Sequence, residues 1–168
     1  LEQEVNHLAF FDSLTQLPNR RLFNDRLGQA VKRAQRTSSS LALMFVDLDK
    51  FKPVNDTYGH AAGDFMLQTV AKRLSGFVRA SDTAARVGGD EFLVLLPDIP
   101  SGSDALAVAE KIRSALAEPC ISPEGIELCI SASIGIAIYP EHARSAHELL
   151  RLGDRAMYEA KSAGGNRV

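Results

Sequence analysis

Runs of apolar residues at steps of three and four alternate along this chain with runs in which nearly every residue, or every second one, is apolar. Phe23, Leu27, Ala30, Val31 and Ala34 keep the spacing of one helix face, and Asn19, after Pro18, has the side chain to cap that helix. The polar loop TSSS ends it, and LALMFVDLD switches to a buried strand. A second helical stripe runs through Ala62, Phe65, Met66, Thr69, Val70, Arg73, Leu74 and Phe77, with Gly76 marking its far end. RVGGDEFLVLL, residues 86–96, reads as a hairpin: Gly88 and Gly89 supply the positive φ of a tight tip, and an apolar strand follows. Ala105, Val108, Ala109, Ile112 and Leu116 form another amphipathic helix, for which Ser103 and Asp104 are the candidate caps.

LCISASIGIAIY alternates so that Ile130, Ile134, Ile136 and Ile138 share one face, opposite Ser131, Ser133, Gly135 and Ala137. One side of this strand is therefore very small. Ser145 and Glu148 have capping-box spacing at the start of a last helix, with Leu149, Leu152, Ala156 and Ala160 as its apolar positions. At the other end, Leu1, Val5 and Leu8 make a short coiled-coil-like seam, which predicts that residues 1–11 are the tail of a longer linker helix and the chain a piece of a longer protein. Helices and strands alternate, but a hairpin sits among them. The pattern predicts an α+β sheet layered with helices rather than a parallel doubly wound one.

Composition narrows the partners. The 168 residues suit one domain with a sizeable core, and 19 basic against 21 acidic side chains leave a formal charge of −2, without the basic footprint of a nucleic-acid binder. No apolar run reaches the roughly 20 residues of a membrane span, and LEQEVNHLAF lacks the layout of a secretory leader, so a cytoplasmic domain is expected. Cys120 and Cys129 flank the turn SPEG and are expected as reduced thiols; four suitably spaced zinc ligands are absent.

The candidate chemistry lies in two acidic pairs. Asp47 and Asp49 end the first strand, and Asp90 and Glu91 stand at the hairpin tip. A single strand-end acid is ordinarily a solvated turn residue, but two pairs on neighbouring strands repel unless a cation sits among them. Such an oxygen-rich cluster suits Mg²⁺ bridged to phosphate. An EF-hand reading of DLDKFKPVNDTY fails, because Lys52 takes the place of the loop glycine and Tyr58 that of the closing Glu. GxxxxGK[ST] is absent, so phosphates would be held without a P-loop.

Five blocks in order, DSLTQLPNR (12–20), DLDKFKPVNDTYGHAAGD (47–64), RVGGDEF (86–92), SIGIA (133–137) and AMYEAKSAGGN (156–166), resemble the signatures of GGDEF-domain diguanylate cyclases over residues 12–168. The resemblance implies a nucleotidyl-cyclase, ferredoxin-like palm with a mostly antiparallel five-stranded sheet. It further implies a homodimer in which two chains each hold one GTP and join them into cyclic di-GMP with release of pyrophosphate. By motif position, Asp47, the Leu48 carbonyl, Asp90 and Glu91 would hold Mg²⁺ or Mn²⁺, with Glu91 at the metal or acting as base and Asp90, Glu91 and Lys161 counted as catalytic. Asn55 and Asp64 match the guanine readers, Lys52 and Lys161 the triphosphate contacts, and Gly88 and Gly89 the substrate loop. Gly63 would let its helix approach the nucleotide closely. Arg79 and Asp82 match the inhibitory product site. Gly165 departs from the pattern by standing where the family often has Arg, which leaves Arg167 as the nearest basic residue. The alternative carried by the resemblance is a weak module that binds GTP or cyclic di-GMP and regulates an attached domain, such as an EAL phosphodiesterase.

Overall fold

The computed structural model describes residues 8–168; Leu1 and Val5 of the predicted seam lie outside the described residues. In chain order the elements are α1 (Arg20–Thr37), β1 (Ser40–Asp49), α2 (Phe51–Tyr58), α3 (His60–Ser75), β2 (Thr83–Gly88), β3 (Glu91–Ile99), α4 (Gly102–Leu116), β4 (Cys120–Ile121), β5 (Glu127–Leu128), β6 (Ser131–Tyr139) and α5 (Ala146–Ser162).

Strands β2, β3, β1 and β6 form an antiparallel sheet in that order, with β1 paired on both sides. The apolar run of β1 follows from this position. Ala42, Met44, Val46 and Leu48 point into a core shared with Met66, Leu67, Val70 and Leu74 of α3 and with Ala109 and Ile112 of α4. Leu41 and Leu43 point the other way, into a second core with Phe23, Leu27 and Val31 of α1 and Leu149 of α5. The result is three layers around one sheet, with a core on each face.

The small face of β6 also has a cause. A Cβ at Gly135 would fall into the backbone of Gly153 and Met157, and one at Gly153 would strike the Phe45 ring. Helix α5 thus lies directly on β6. Its buried line is Leu149, Gly153, Met157 and Ala160, one position away from the expected Leu152 and Ala156, because the glycine takes the tightest point.

Other expectations need correction. The main sheet has four strands, not five. The tail beyond α5 contributes one parallel bridge, Ser133 to Arg167, with the Ile134 amide donating to the Arg167 carbonyl at 2.9 Å. Positive φ at Gly164, Gly165 and Asn166 prevents that segment from extending into a strand. Helix α4 starts earlier than predicted, at Gly102 after Ser101, and Asp104 instead accepts from the Ser101 hydroxyl. The stretch after β1 is helical as α2, which Pro53 tolerates in the first turn, and Gly59 at φ +91 turns the chain into α3. Cys120 lies opposite Leu128 in the short β4–β5 pair, and both cysteines are free.

Candidate active site

The pairing of β1 with β3 places Asp47 opposite Glu91, and the Leu48 amide donates to the Asp90 carbonyl at 3.2 Å. The hairpin tip reaches this point through Gly88 at φ +152 and Gly89 at φ +49, values that a side chain rarely adopts. Asp90 and Glu91 are half-buried, while Asp47 is only 9% exposed.

Asp47 is the strained member. Burial, reinforced by the charge of Asp90 and more weakly of Glu91, pushes its pKa up to about 6 against the opposing pull of Lys161. Its Oδ2 lies 3.2 Å from the Lys161 Nζ, and its buried Oδ1 has no partner. The same ammonium donates to the Leu48 carbonyl at 3.2 Å. Asp49 behaves differently. Its oxygens accept from the Ser133 hydroxyl at 2.6 Å, the Ser131 hydroxyl at 2.7 Å and the Asn166 amide at 2.8 Å. Burial raises its pKa, but these donors and the Lys161 charge outweigh that and hold it below the usual aspartate range. Asp49 is therefore a clamp on the C-terminal tail rather than a fourth acid open to a cation.

The candidate donors at the joined ends of β1 and β3 are all hard oxygens: the Asp47 carboxylate with its orphaned Oδ1, the Leu48 carbonyl, and the carboxylates of Asp90 and Glu91. That chemistry fits Mg²⁺ or Mn²⁺ rather than a softer metal. Among the described residues, no three His, Cys, Asp or Glu side chains are already gathered tightly enough to enclose an ion.

Between α2 and α3, a Cβ on Gly63 would overlap the Asn55 carboxamide. Gly63 thus makes room for Asn55 and brings that amide against the turn of α3 that carries exposed Asp64. Lys52 is exposed on the first turn of α2.

The sequence of the family described as "Diguanylate cyclase, GGDEF domain" matches residues 9–167. The chain belongs to the GGDEF-domain family. It is 48% identical over 162 residues to the diguanylate cyclase TpbB of Pseudomonas aeruginosa and 50% identical over 165 to that organism's bifunctional diguanylate cyclase/cyclic di-GMP phosphodiesterase MucR. These alignments cover 96% and 98% of this chain, which spans only 37% and 24% of those proteins. The isolated GGDEF domain of TpbB superposes with a TM-score of 0.91 at 46% identity, covering 94% of this chain and 91% of that one. The coiled coil and GGDEF domain of DgcB from Caulobacter crescentus, solved in complex with c-di-GMP, also gives 0.91, at 31% identity and with coverages of 99% and 88%. The fold is accordingly the nucleotidyl-cyclase palm.

Within this GGDEF domain, Gly165 has a local explanation. At φ +75 its Cα faces the Asp49 carboxylate, and a Cβ would come within 2.9 Å of it. Arg167 folds back, its Nε donating to the Gly165 carbonyl at 3.1 Å. In the RASD turn, Asp82 Oδ2 accepts from the Arg79 amide at 2.8 Å and from its Nε at 3.5 Å. The Asp82 side chain is 1% exposed with Oδ1 unpartnered, whereas Arg79 projects outward. Beside this turn lies an open cavity of about 310 Å³, lined by Arg26 and Arg33 of α1 together with Ser81 and Thr83.

Sequence reasoning missed one member of the site's support. Arg86 Nη1 lies 3.0 Å from Asp12 Oδ1, and its Nε and Nη2 donate to the Gly89 carbonyl at 3.0 and 2.8 Å. A single guanidinium thus ties the glycine tip to the loop that precedes α1. Both residues were in quoted motifs, but nothing in a linear pattern pairs positions 74 apart.

Proposed function

We propose that this domain is a diguanylate cyclase: it binds GTP with Mg²⁺ at the joined ends of β1 and β3 and, facing a second copy with its own GTP, condenses the two nucleotides into cyclic di-GMP and pyrophosphate. The observation that carries this reading is Asp47, a buried carboxylate with an unpartnered oxygen, set opposite Glu91 in the sheet and raised in pKa by burial and then by the charge of Asp90. Such an arrangement is unfavourable alone and favourable around a hard cation. Asp47, the Leu48 carbonyl, Asp90 and Glu91 would hold the ion, which supplies charge neutralisation at the α-phosphoryl group.

The protein's share of the chemistry is alignment. Asn55 and Asp64 offer an amide and a carboxylate to the guanine edge, whose N1–H and N2–H₂ match a carboxylate acceptor that adenine would leave unpaired. Gly88 and Gly89 bring backbone close to the phosphates without a Cβ in the way, and Lys52 and Lys161 contribute positive charge to the phosphates. Glu91 can also take the 3′-hydroxyl proton. Arg79, exposed and held at its base by Asp82, is the anchor for a product molecule that restrains turnover.

The test is chromatographic detection of cyclic di-GMP from GTP and Mg²⁺ with the domain fused to a dimerising helix. Asp90→Ala combined with Glu91→Ala should abolish product, since the phosphate charge is then uncompensated. Wild-type turnover in that variant would reject the site.

A further inference from the structure

We infer that Lys161 is a resident counter-ion that a divalent cation has to displace from the oxygen cradle, so that its ammonium becomes available to phosphate only once the cation has entered. The inference rests on the metal reading proposed above. Its ground is that lysine and cation would bind the same two groups with the same sign of charge. The Lys161 Nζ lies 3.2 Å from Asp47 Oδ2, 3.2 Å from the Leu48 carbonyl and 3.6 Å from Asp49 Oδ1. Two of these three oxygens are the ones assigned to the cation.

A hard divalent ion draws such oxygens to roughly 2.1–2.6 Å, and an ammonium of the same sign of charge, held on the Leu48 carbonyl and on the other oxygen of the Asp47 carboxylate, opposes its entry. One cation must leave. Lys161 is equipped to be that one: it sits in the last turn of α5, its side chain is 37% exposed, and four methylenes allow the head to swing towards solvent. Asp49 does not need it, being already supplied by Ser131, Ser133 and the Asn166 amide. Asp47 does, because among the described residues no other donor reaches its oxygens. The lysine therefore compensates the cradle when no cation is present and is released towards the nucleotide's phosphates when one binds.

The arrangement makes a prediction opposite to that of a merely structural salt bridge. If Lys161 only pinned α5 to β1, removing it would loosen the site and weaken cation binding. If it competes, removing it should strengthen cation binding. The experiment is Mn²⁺ titration of the nucleotide-free domain, following free Mn²⁺ by electron paramagnetic resonance, for wild type, Lys161→Met and Lys161→Arg. The Met variant keeps the stem that packs along the helix, and its melting curve verifies folding.

Lys161→Met should bind Mn²⁺ at least about tenfold more tightly than wild type, a conservative figure for losing one charge about 4 Å away in a partly exposed site. Lys161→Arg, which keeps the charge, should stay near wild type. Adding Asp90→Ala and Glu91→Ala to Lys161→Met should remove the gain. Equal or weaker binding by Lys161→Met, with Mn²⁺ still lost on removing the two acids, overturns the displacement and leaves the metal site standing. Binding that ignores the two acids overturns the metal site itself.

Discussion

Replacing Asp47 with Asn should make the domain more stable and inactive at the same time. The carboxylate's pKa is raised from 3.8 to about 6, chiefly by burial and then by Asp90, so the folded state holds its proton more tightly than the unfolded chain does. The sign follows from linkage: between the two values the native state carries more protons, so stability falls as pH rises through that window and stays reduced above it. The rise corresponds to about 3 kcal/mol, which screening by water at the mouth of the site trims to about 2. An amide of the same shape has no charge to desolvate. Urea denaturation of both proteins in EDTA at several pH values between 4.5 and 8 should show Asp47→Asn gaining on wild type as pH increases, by about 1–1.5 kcal/mol over this range. Millimolar Mg²⁺ should narrow the gap by stabilising wild type alone. A difference that stays flat across this range, or an Asn variant that loses ground at pH 8, would show that the carboxylate is not strained in the way its surroundings indicate.

Two further substitutions probe the supports of the site. Arg86→Ala removes a largely buried ion pair with Asp12 and both donors to the Gly89 carbonyl; a stability loss of about 2–3 kcal/mol is expected, and hydrogen exchange at the Gly88–Asp90 amides should accelerate more than at β1. Gly63→Ala should be neutral or slightly stabilising for its helix, by about 0.5–1 kcal/mol, yet displace the Asn55 carboxamide. The preference for GTP over ATP in competition binding should then drop by about tenfold or more, and unchanged discrimination would remove Asn55 as a reader of the base.

The legible part of this protein was whatever its short-range pattern encodes. The stripe of α1, the two-sided apolar run of β1 and the Ser145 cap of α5 appear where the spacing put them, whereas α3 keeps Ala62, Met66, Val70 and Leu74 but buries Leu67 and Ala71 rather than Phe65, Thr69 and Arg73 beside them. The ordered motifs led to the family, and the pairing of β1 with β3 sets Asp47 opposite Glu91 and the Leu48 amide on the Asp90 carbonyl. What escaped depends on contacts between distant segments. Asp49 reads like its neighbour Asp47 in sequence, and only Ser131, Ser133 and Asn166, 82 or more positions away, turn it into a structural clamp. The missing fifth strand was hidden in the same way, since the φ values of the tail are set by its docking on Asp49 and Arg167. Helix α2 offered no apolar stripe to read, since Phe51 is its one buried residue.

The contact of α5 on β6 leaves no clearance at Gly135 and Gly153, so these glycines set the inclination of the helix as a fulcrum sets a lever. Lys161 lies eight residues further along the same rod, about 12 Å at the usual rise. A tilt of about 5° at the fulcrum would carry its backbone by about 1 Å, enough to break the ammonium's grip on Asp47. A single methyl group added on the far side of the sheet from α3 would in this way shift the oxygen cradle's lysine without touching any residue there.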